Sequence, residues 1–558
     1  MNERLSTMQP LIHLADPNFL FITFAGLLTC CAILVTSWRW QWRFSPLQML
    51  ALTVSCLLIA LSISMAPSRW EDIFRLTPSV AMSLGFPLFD HPTQGPWIDW
   101  PYGPMMALVF LPIAFLRNFP LWMMVAAAFL SFLMVAIPTI ACLYHFFKSR
   151  SVRRIHLINL VLLFTLFSLN CAPLTLLTTR ILADSVMMFF LIIALGLFSG
   201  YQEASLKREV MIWVALSLAF WSKQLALPVL LLLPVLQVFL KRRLAFRFAL
   251  IGLITFAVVS LVFIATIGWE RIYFNMFFGL RELPLQASLK NGYGQAVALK
   301  SWGGWFTLAK GASEAIGHSV VPLFVLICSS RLVPKAQISH HPGLRGARIF
   351  LLAALALAPL NILARVSMGG EINNYASSLL CLTISALGVV SYLIETNALK
   401  GNAFAFPTKV LLLFLAGACA PQIYSCFHSY QNVSNWVMVR DFKFAQKNPS
   451  NFYITDSPIF ALILNKQYPH SIMGLRHRVT SGAAIDKKRV LEFLPAPAQH
   501  IRVEVNSFNV HELFCPGEKK KGQKEGFYDC VVPEGLGNHL EKMSSDEIIS
   551  KLKIKEWQ

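Results

Sequence analysis

Long apolar runs separated by short polar or basic stretches fill most of this chain of 558 residues. Phe19–Ser37, Leu47–Ala66, Leu121–Phe147, Phe248–Ile267 and Val410–Tyr424 are the plainest. A hydrocarbon core about 30 Å thick takes roughly 20 apolar residues as a helix, each rising about 1.5 Å. The pattern therefore predicts a polytopic all-α membrane protein. Crossings are expected near 18–37, 47–66, 120–147, 155–170, 183–200, 209–222, 225–240, 246–268, 313–330, 348–366, 374–394 and 407–427. That makes about twelve transmembrane helices by length. No segment repeats at a fixed period.

Two regions break the pattern. Residues 67–119 form a long polar-and-aromatic stretch containing an apolar piece, Met105–Leu116, bracketed by Pro104 and Pro120. That piece is too short to span and is expected to lie at the interface. After about residue 428 the spans stop. "NFYIT" (451–455) and "IRVEVNSF" (501–508) alternate like strands, and "SPIFALIL" (457–464) opens like a helix, with Ser457 as cap and Pro458 as first residue. The expected organisation is thus an N-terminal segment with one helix (1–46), a transmembrane domain (47–427) with a structured first loop (67–119), and a small C-terminal α/β domain (428–558).

Composition agrees: 56% of residues are hydrophobic and only 14% charged, against about a quarter charged in soluble domains. The net charge of +20 sits largely in short loops, which points to the positive-inside rule and away from nucleic acid. Arg39/Arg43, Lys148–Arg154, Lys207/Arg208, Lys241–Arg243 and Arg331–Arg348 are then cytoplasmic. Loop 67–119, both termini and the C-terminal domain fall on the other side. The first apolar run lacks a small-residue cleavage site and reads as a retained helix. Nine of the eleven cysteines lie in or beside apolar runs. Cys515 and Cys530 lie in the polar C-terminal region, where an oxidising compartment would allow a disulfide.

The polar residues with chemical potential gather on the outer face. Glu71 and Asp72 stand just where an apolar run ends. Such a carboxylate suits a general base, a cation ligand or a helix cap, since Asp is a favoured cap. Arg180, Lys223 and Arg365 lie at outer ends of spans, where they can meet an anion or snorkel to the interface. Arg180 and Asp184, four apart, are also spaced to pair on one helix face. Glu371, Asn373, Asn374 and Tyr375 make a polar turn suited to hydroxyl groups, next to two turn-forming glycines. Trp100 and Tyr102 suit either stacking on a sugar ring or anchoring at the headgroups. His91 is a lone histidine in the loop. No His/Cys/Asp cluster has metal-binding spacing, which leaves a divalent ion between Asp72 and Asp184 as the one metal arrangement to consider.

Five of these stretches carry a resemblance. "DIFRLTPSVAMSLGFPLF" followed by "DWPYGPMMALVFLPIAFL" resembles the first extracytoplasmic loop of GT-C glycosyltransferases. These integral-membrane enzymes take sugars from polyprenyl-phosphate carriers. "TTRILADSVMMFFLIIAL", "FWSKQLALPVLLLLPVL", "MGGEINNYASSLLCL" and "YITDSPIFALILNKQ" resemble later motifs of the same group, in the same order. The extra span before Leu47 is a departure, making the group's first helix the second one here.

The resemblance implies an inverting transferase that moves a sugar from a polyprenyl-phosphate donor to an envelope acceptor (glycan, lipid or protein). The setting would be the outer face of a bacterial inner membrane. The catalytic base would be Asp72, or its neighbour Glu71. Arg180, Lys223 and Arg365 would meet the donor phosphate. Asp184, Trp100, Tyr102, Glu371, Asn373, Asn374 and Tyr375 would position donor or acceptor. The resemblance itself calls for no cofactor; a divalent cation between Asp72 and Asp184 is the one addition the residues leave open. The rival readings are a transporter or flippase for a lipid-linked sugar, which would favour repeats and midplane sites, and a non-catalytic assembly subunit.

Overall fold

The computed structural model describes residues 56–89, 91, 100–147, 157, 160–200, 205–278, 301–334, 341–396 and 458–466, apart from a few positions within them, and short pieces at 285–286, 296–297, 452–454, 500–504 and 527–531. The expected crossings 18–37 and 407–427, the first half of 47–66, the segment 1–46 and the Cys515–Cys530 pairing lie outside the described residues.

The described part is mainly helical. After a 3-10 turn at Ala66–Ser68, helix α1 runs from Trp70 to Ser83. Glu71 and Asp72 occupy its first turn, where the helix dipole favours acids. Its end is a Schellman motif: Gly85 takes a φ of 85°, Phe86 N–H donates to Ala81 O and Gly85 N–H to Met82 O, both at 3.0 Å. That is the physical role of the glycine in "SLGFPLF".

Helix α2, Pro104–Ala114, continues as a 3-10 turn at Phe115–Asn118. Eleven residues reach only about 16 Å, so α2 does not span. It buries Met106, Ala107, Phe110 and Ala114 and leaves Phe115 and Phe119 exposed. Ser79 Oγ on α1 donates to Ala107 O at 3.0 Å, fixing the two short helices together.

The main bundle follows: α3 (Pro120–Phe146), a stretch at Leu160–Leu169 bent by 105° into α4 (Ala172–Thr179), α5 (Ala183–Ser199), α6 (Leu206–Phe220) and α7 (Leu227–Ile267). Then come α8 (Trp302–Ser330), α9 (Pro342–Val366) and α10 (Ala376–Glu395). Among the described residues, α3, α7, α8, α9 and α10 are long and apolar enough to cross a membrane.

Where crossings 225–240 and 246–268 are expected, the helical assignment runs unbroken, but Lys241 has non-helical backbone (φ −153°, ψ 81°) within the basic cluster. Trp213 meets Phe248 and Trp221 meets Phe263, with ring centroids 5.2 and 5.1 Å apart. The second half of α7 therefore runs alongside α6 in the same direction. Since the first half starts at the end of α6, the chain reverses at Lys241. Helix α8 begins eleven residues before the expected 313, because Ser301 caps it, its Oγ accepting from Gly304 N–H at 3.1 Å.

Two hydrophobic clusters hold the fold. One joins α3, α5, α6, α9 and α10 around Phe146, Leu191, Leu216, Phe350 and Leu380. The other joins α1, α2, the start of α3 and Trp221. It also takes in α11, Pro458–Asn465, whose Ile459, Phe460 and Leu462 are fully buried. A segment beyond the bundle thus packs against the helix that carries the acids. Strands β1 (Leu285–Gln286) and β2 (Ala296–Val297) pair antiparallel. Strands β3 (Phe452–Ile454), β4 (His500–Glu504) and β5 (Phe527–Val531) form a mixed sheet, β3 parallel and β5 antiparallel to β4.

Candidate active site

Five separate segments meet at one end of the bundle. They are the start of α1, the link between α4 and α5, the turn after α6, the segment before α2, and the 3-10 turn Ile372–Tyr375 before α10. Backbone bonds fix two of them to each other. Gly103 N–H donates to Ser222 O at 3.1 Å and Met105 N–H to Trp221 O at 3.2 Å. A Cβ on Gly103 would stand 1.8 Å from Trp221 O, so only glycine permits this approach.

Asp72 is fully buried. It does not cap α1: Arg69 holds the N-cap position and makes no side-chain cap bond. One carboxylate oxygen, Oδ1, accepts from Arg75 Nη1 at 3.4 Å. The other, Oδ2, faces Arg69 Nη1 at 3.6 Å but has no hydrogen-bond partner. Burial pushes the carboxyl above the usual carboxylate range, against the pull of Arg69, Arg180 and Arg75. Glu71 is partly exposed and meets Arg180 Nη1 at 3.8 Å.

Arg75 also donates to Glu371 Oε2 at 3.1 Å, tying α1 to the turn before α10. At Glu371 burial pushes upward, but Arg75, Arg180 and Lys223 together outweigh it and hold the carboxyl below its usual range. Lys223 Nζ donates to both oxygens of Asp184 at 2.9 and 2.8 Å and to Asn374 Oδ1 at 3.0 Å. All three ammonium protons are thus engaged. Asn373 Nδ2 donates to Asp184 Oδ2 at 3.0 Å, and Asn373 Oδ1 has no partner. Lys223 Nζ lies 5.8 Å from the Tyr102 ring centre, and Trp100 packs edge-on to Tyr102 at 5.2 Å. Trp100 is buried with its Nε1 unpartnered.

Arg180 and Asp184 do not pair with each other. Arg180 precedes α5 with extended backbone and turns to Glu71, while Asp184 turns to Lys223. The Nε of Arg180 is buried without a partner. Arg365 stands apart from this group. Its Nε and Nη2 hold Glu314 at 3.1 and 3.3 Å and its Nη1 donates to Gly370 O at 2.8 Å. Tyr375 joins it, donating its hydroxyl to Gly311 O at 2.7 Å and lying 3.1 Å from Glu314 Oε2. His91 lies 3.9 Å from Glu270 and outside the group.

The site therefore sets four cations (Arg69, Arg75, Arg180, Lys223) among four carboxylates (Glu71, Asp72, Asp184, Glu371). Arg69, Arg75 and Glu314 are not among the residues the sequence singles out for chemistry. The two arginines had a signal, since each stands three residues from Asp72. Glu314 had another, being an ionisable residue inside an apolar run. A divalent ion between Asp72 and Asp184 does not fit this arrangement. Each carboxylate already faces a cation within 3.6 Å, and among the described residues no three His, Cys, Asp or Glu side chains cluster to hold a metal.

No known protein family matches the sequence, and no curated protein matches it. Solved structures do show similarity. ArnT from Cupriavidus metallidurans, solved bound to undecaprenyl phosphate, aligns over 87% of this chain and 98% of its own, at 11% identity and a TM-score of 0.46. Its apo form gives 12% identity with the same coverage and TM-score. The Archaeoglobus fulgidus oligosaccharyltransferase, tethered to an acceptor peptide, aligns over 83% of this chain and 70% of its own, at 10% identity and a TM-score of 0.42. Both proteins are GT-C glycosyltransferases.

Proposed function

We propose that this protein is an inverting membrane glycosyltransferase of the GT-C type. It transfers a sugar from a polyprenyl-phosphate donor to a hydroxyl of an envelope glycan, lipid or protein, on the extracytoplasmic face of a bacterial inner membrane. One observation carries this reading: a buried carboxylate, Asp72, keeps one oxygen without a hydrogen-bond partner amid Arg69, Arg75 and Arg180. A base and cations at one site are what the reaction requires.

In the proposed step the acceptor oxygen attacks the anomeric carbon and its proton passes to Asp72 Oδ2. The bond from that carbon to the phosphate oxygen breaks, and polyprenyl phosphate leaves with the electron pair. A carboxyl held above its ordinary range is a better proton acceptor near neutrality than a free aspartate. Arg180, with an unpartnered Nε and only a 3.8 Å approach to Glu71, meets the charge that develops on the phosphate. Lys223, Asp184, Asn373 and Asn374 form a fixed polar wall for donor or acceptor hydroxyls, with Tyr102 and Trp100 beside it. Glu371 holds Arg75, and so the start of α1, in place.

The test is sugar transfer by the full-length protein in proteoliposomes, using a panel of polyprenyl-phosphate sugars, with wild type beside Asp72→Asn and Glu71→Gln. Loss at Asp72 alone supports the assignment, and loss at Glu71 alone moves the base by one residue. Undiminished transfer by both variants overturns the mechanism. Movement of labelled lipid-linked sugar across the bilayer, without transfer, selects the flippase reading.

A further inference from the structure

A second concave feature lies at the opposite ends of the helices. A cleft of about 410 Å³ opens between the last turns of α3 and α5 and the first turns of α6 and α9. Its wall is apolar, with Ala141, Ile192 and Leu197 facing it, while His145, Arg208 and Arg345 stand along it. Among the described residues, no Asp or Glu lines it. Arg208 Nη1 donates to Gly200 O, just past the end of α5, at 2.7 Å. That bond sets the guanidinium at the end of α5 and uses one of its five N–H donors. Basic residues crowd the same end: Arg242 and Arg243 beside the break in α7, Arg331 after α8 and Arg348 in the first turns of α9.

We propose that this cleft binds the phosphate head of an anionic membrane phospholipid. Arg208 and Arg345 hold the phosphate, and the apolar slot between α3 and α5 receives the first carbons of the acyl tails. Three features argue for it. The volume falls within the roughly 300–1,000 Å³ of small-ligand sites and fits a head and a few methylenes. Two arginines at the mouth of one apolar cleft suit one phosphate, which the planar guanidinium grips through paired N–H groups. The apolar wall and the basic surroundings match a lipid drawn from a negatively charged leaflet, to which each Lys or Arg near the surface adds attraction; a soluble anion would leave that wall wet. The site uses no residue of the Asp72 cluster, so its test is independent of glycosyl transfer.

The experiment is native mass spectrometry of the full-length protein, delipidated in detergent and titrated with phosphatidylglycerol or phosphatidylcholine. Wild type is compared with the double variant Arg208→Gln/Arg345→Gln and with Ala141→Trp, which plugs the wall of the cleft. The expected result is one phosphatidylglycerol held in preference to phosphatidylcholine. That preference should fall about tenfold or more in the double variant, as two surface cations warrant, and the plugged variant should lose the lipid while both arginines remain. Equal retention of the two lipids by wild type overturns the proposal. So does unchanged binding in both variants, or displacement of the lipid by millimolar inorganic phosphate, which would mark a site for free anions.

Discussion

Two polar clusters sit at the same end of the bundle and use the same kinds of side chain, yet they differ in completeness. Around Arg365, the guanidinium holds Glu314 and Gly370 O, Tyr375 ties Glu314 to Gly311 O, and none of these three side chains has a buried polar atom without a partner. Around Asp72, four buried polar atoms lack a partner: Asp72 Oδ2, Arg180 Nε, Trp100 Nε1 and Asn373 Oδ1. A buried polar group ordinarily finds a partner, so these four atoms leave hydrogen-bonding capacity in the second cluster that the first has used up. On the proposed function, this difference in saturation separates a tie that holds α8 to α9 from groups that would meet a ligand. It also redistributes the expected phosphate role. Under the proposed transfer the phosphate contact falls to Arg180, while Arg365 serves the tie.

The sharpest way to break this comparison is to neutralise one carboxylate in each cluster. Asp72→Asn is expected to reduce transfer by about 10²–10⁴-fold, the usual worth of a general base, while leaving thermal stability at neutral pH unchanged or raised. The sign follows from linkage. Burial holds the Asp72 carboxyl above its unfolded value, so the fold favours the protonated form. That contribution is present at low pH and is lost as pH rises through the folded pKa. At neutral pH the ionised group is therefore a cost that the amide lacks. A melting temperature that falls with the activity would make Asp72 a structural partner of Arg75 and erase the distinction.

Glu314→Gln should give the reverse pattern. It removes the charged acceptor of two Arg365 bonds and the contact to Tyr375, at a cost of about 1.5–3 kcal/mol. Chemical or thermal unfolding in detergent reads this loss, and the KM for the lipid donor should stay where it is. A donor KM several-fold higher with unfolding unmoved would place Arg365 in the donor site after all.

The sequence makes the helices legible because apolar length is a strong signal, and it makes the clustering at one end legible because Asp72, Arg180, Lys223 and Glu371 all mark ends of apolar runs. Partner choice is where it fails. Arg180 and Asp184 have helix-pair spacing, but the backbone before α5 is extended, so they point to different partners. Arg365 and Lys223 look alike as boundary cations, yet one meets a carboxylate on α8 and the other meets one on α5. Those pairings depend on helix rotation, which is set by packing between helices far apart in sequence. The backbone bonds from "YGP" to the "WSK" turn are equally invisible in one dimension, since they leave only a glycine as a trace.

The smallest effect expected is a displacement of the pH profile, and it probes the incomplete cluster alone. Asp72 accepts a proton only when ionised, so kcat/KM should rise with pH through its raised pKa. Arg180 is one of the cations that hold this pKa down. In Arg180→Gln the carboxyl loses that pull, and the acidic limb should move to higher pH. Arg180→Lys should return the limb towards its original position, because the charge is restored, while the donor KM stays raised, because an ammonium lacks the planar fork that grips a phosphate. A purely structural Arg180 would change both variants alike through stability and leave the limb still. An unmoved limb with an intact fold would therefore remove Arg180 from the surroundings of the titrating group, and would shift attention to Glu71, the carboxylate Arg180 touches directly.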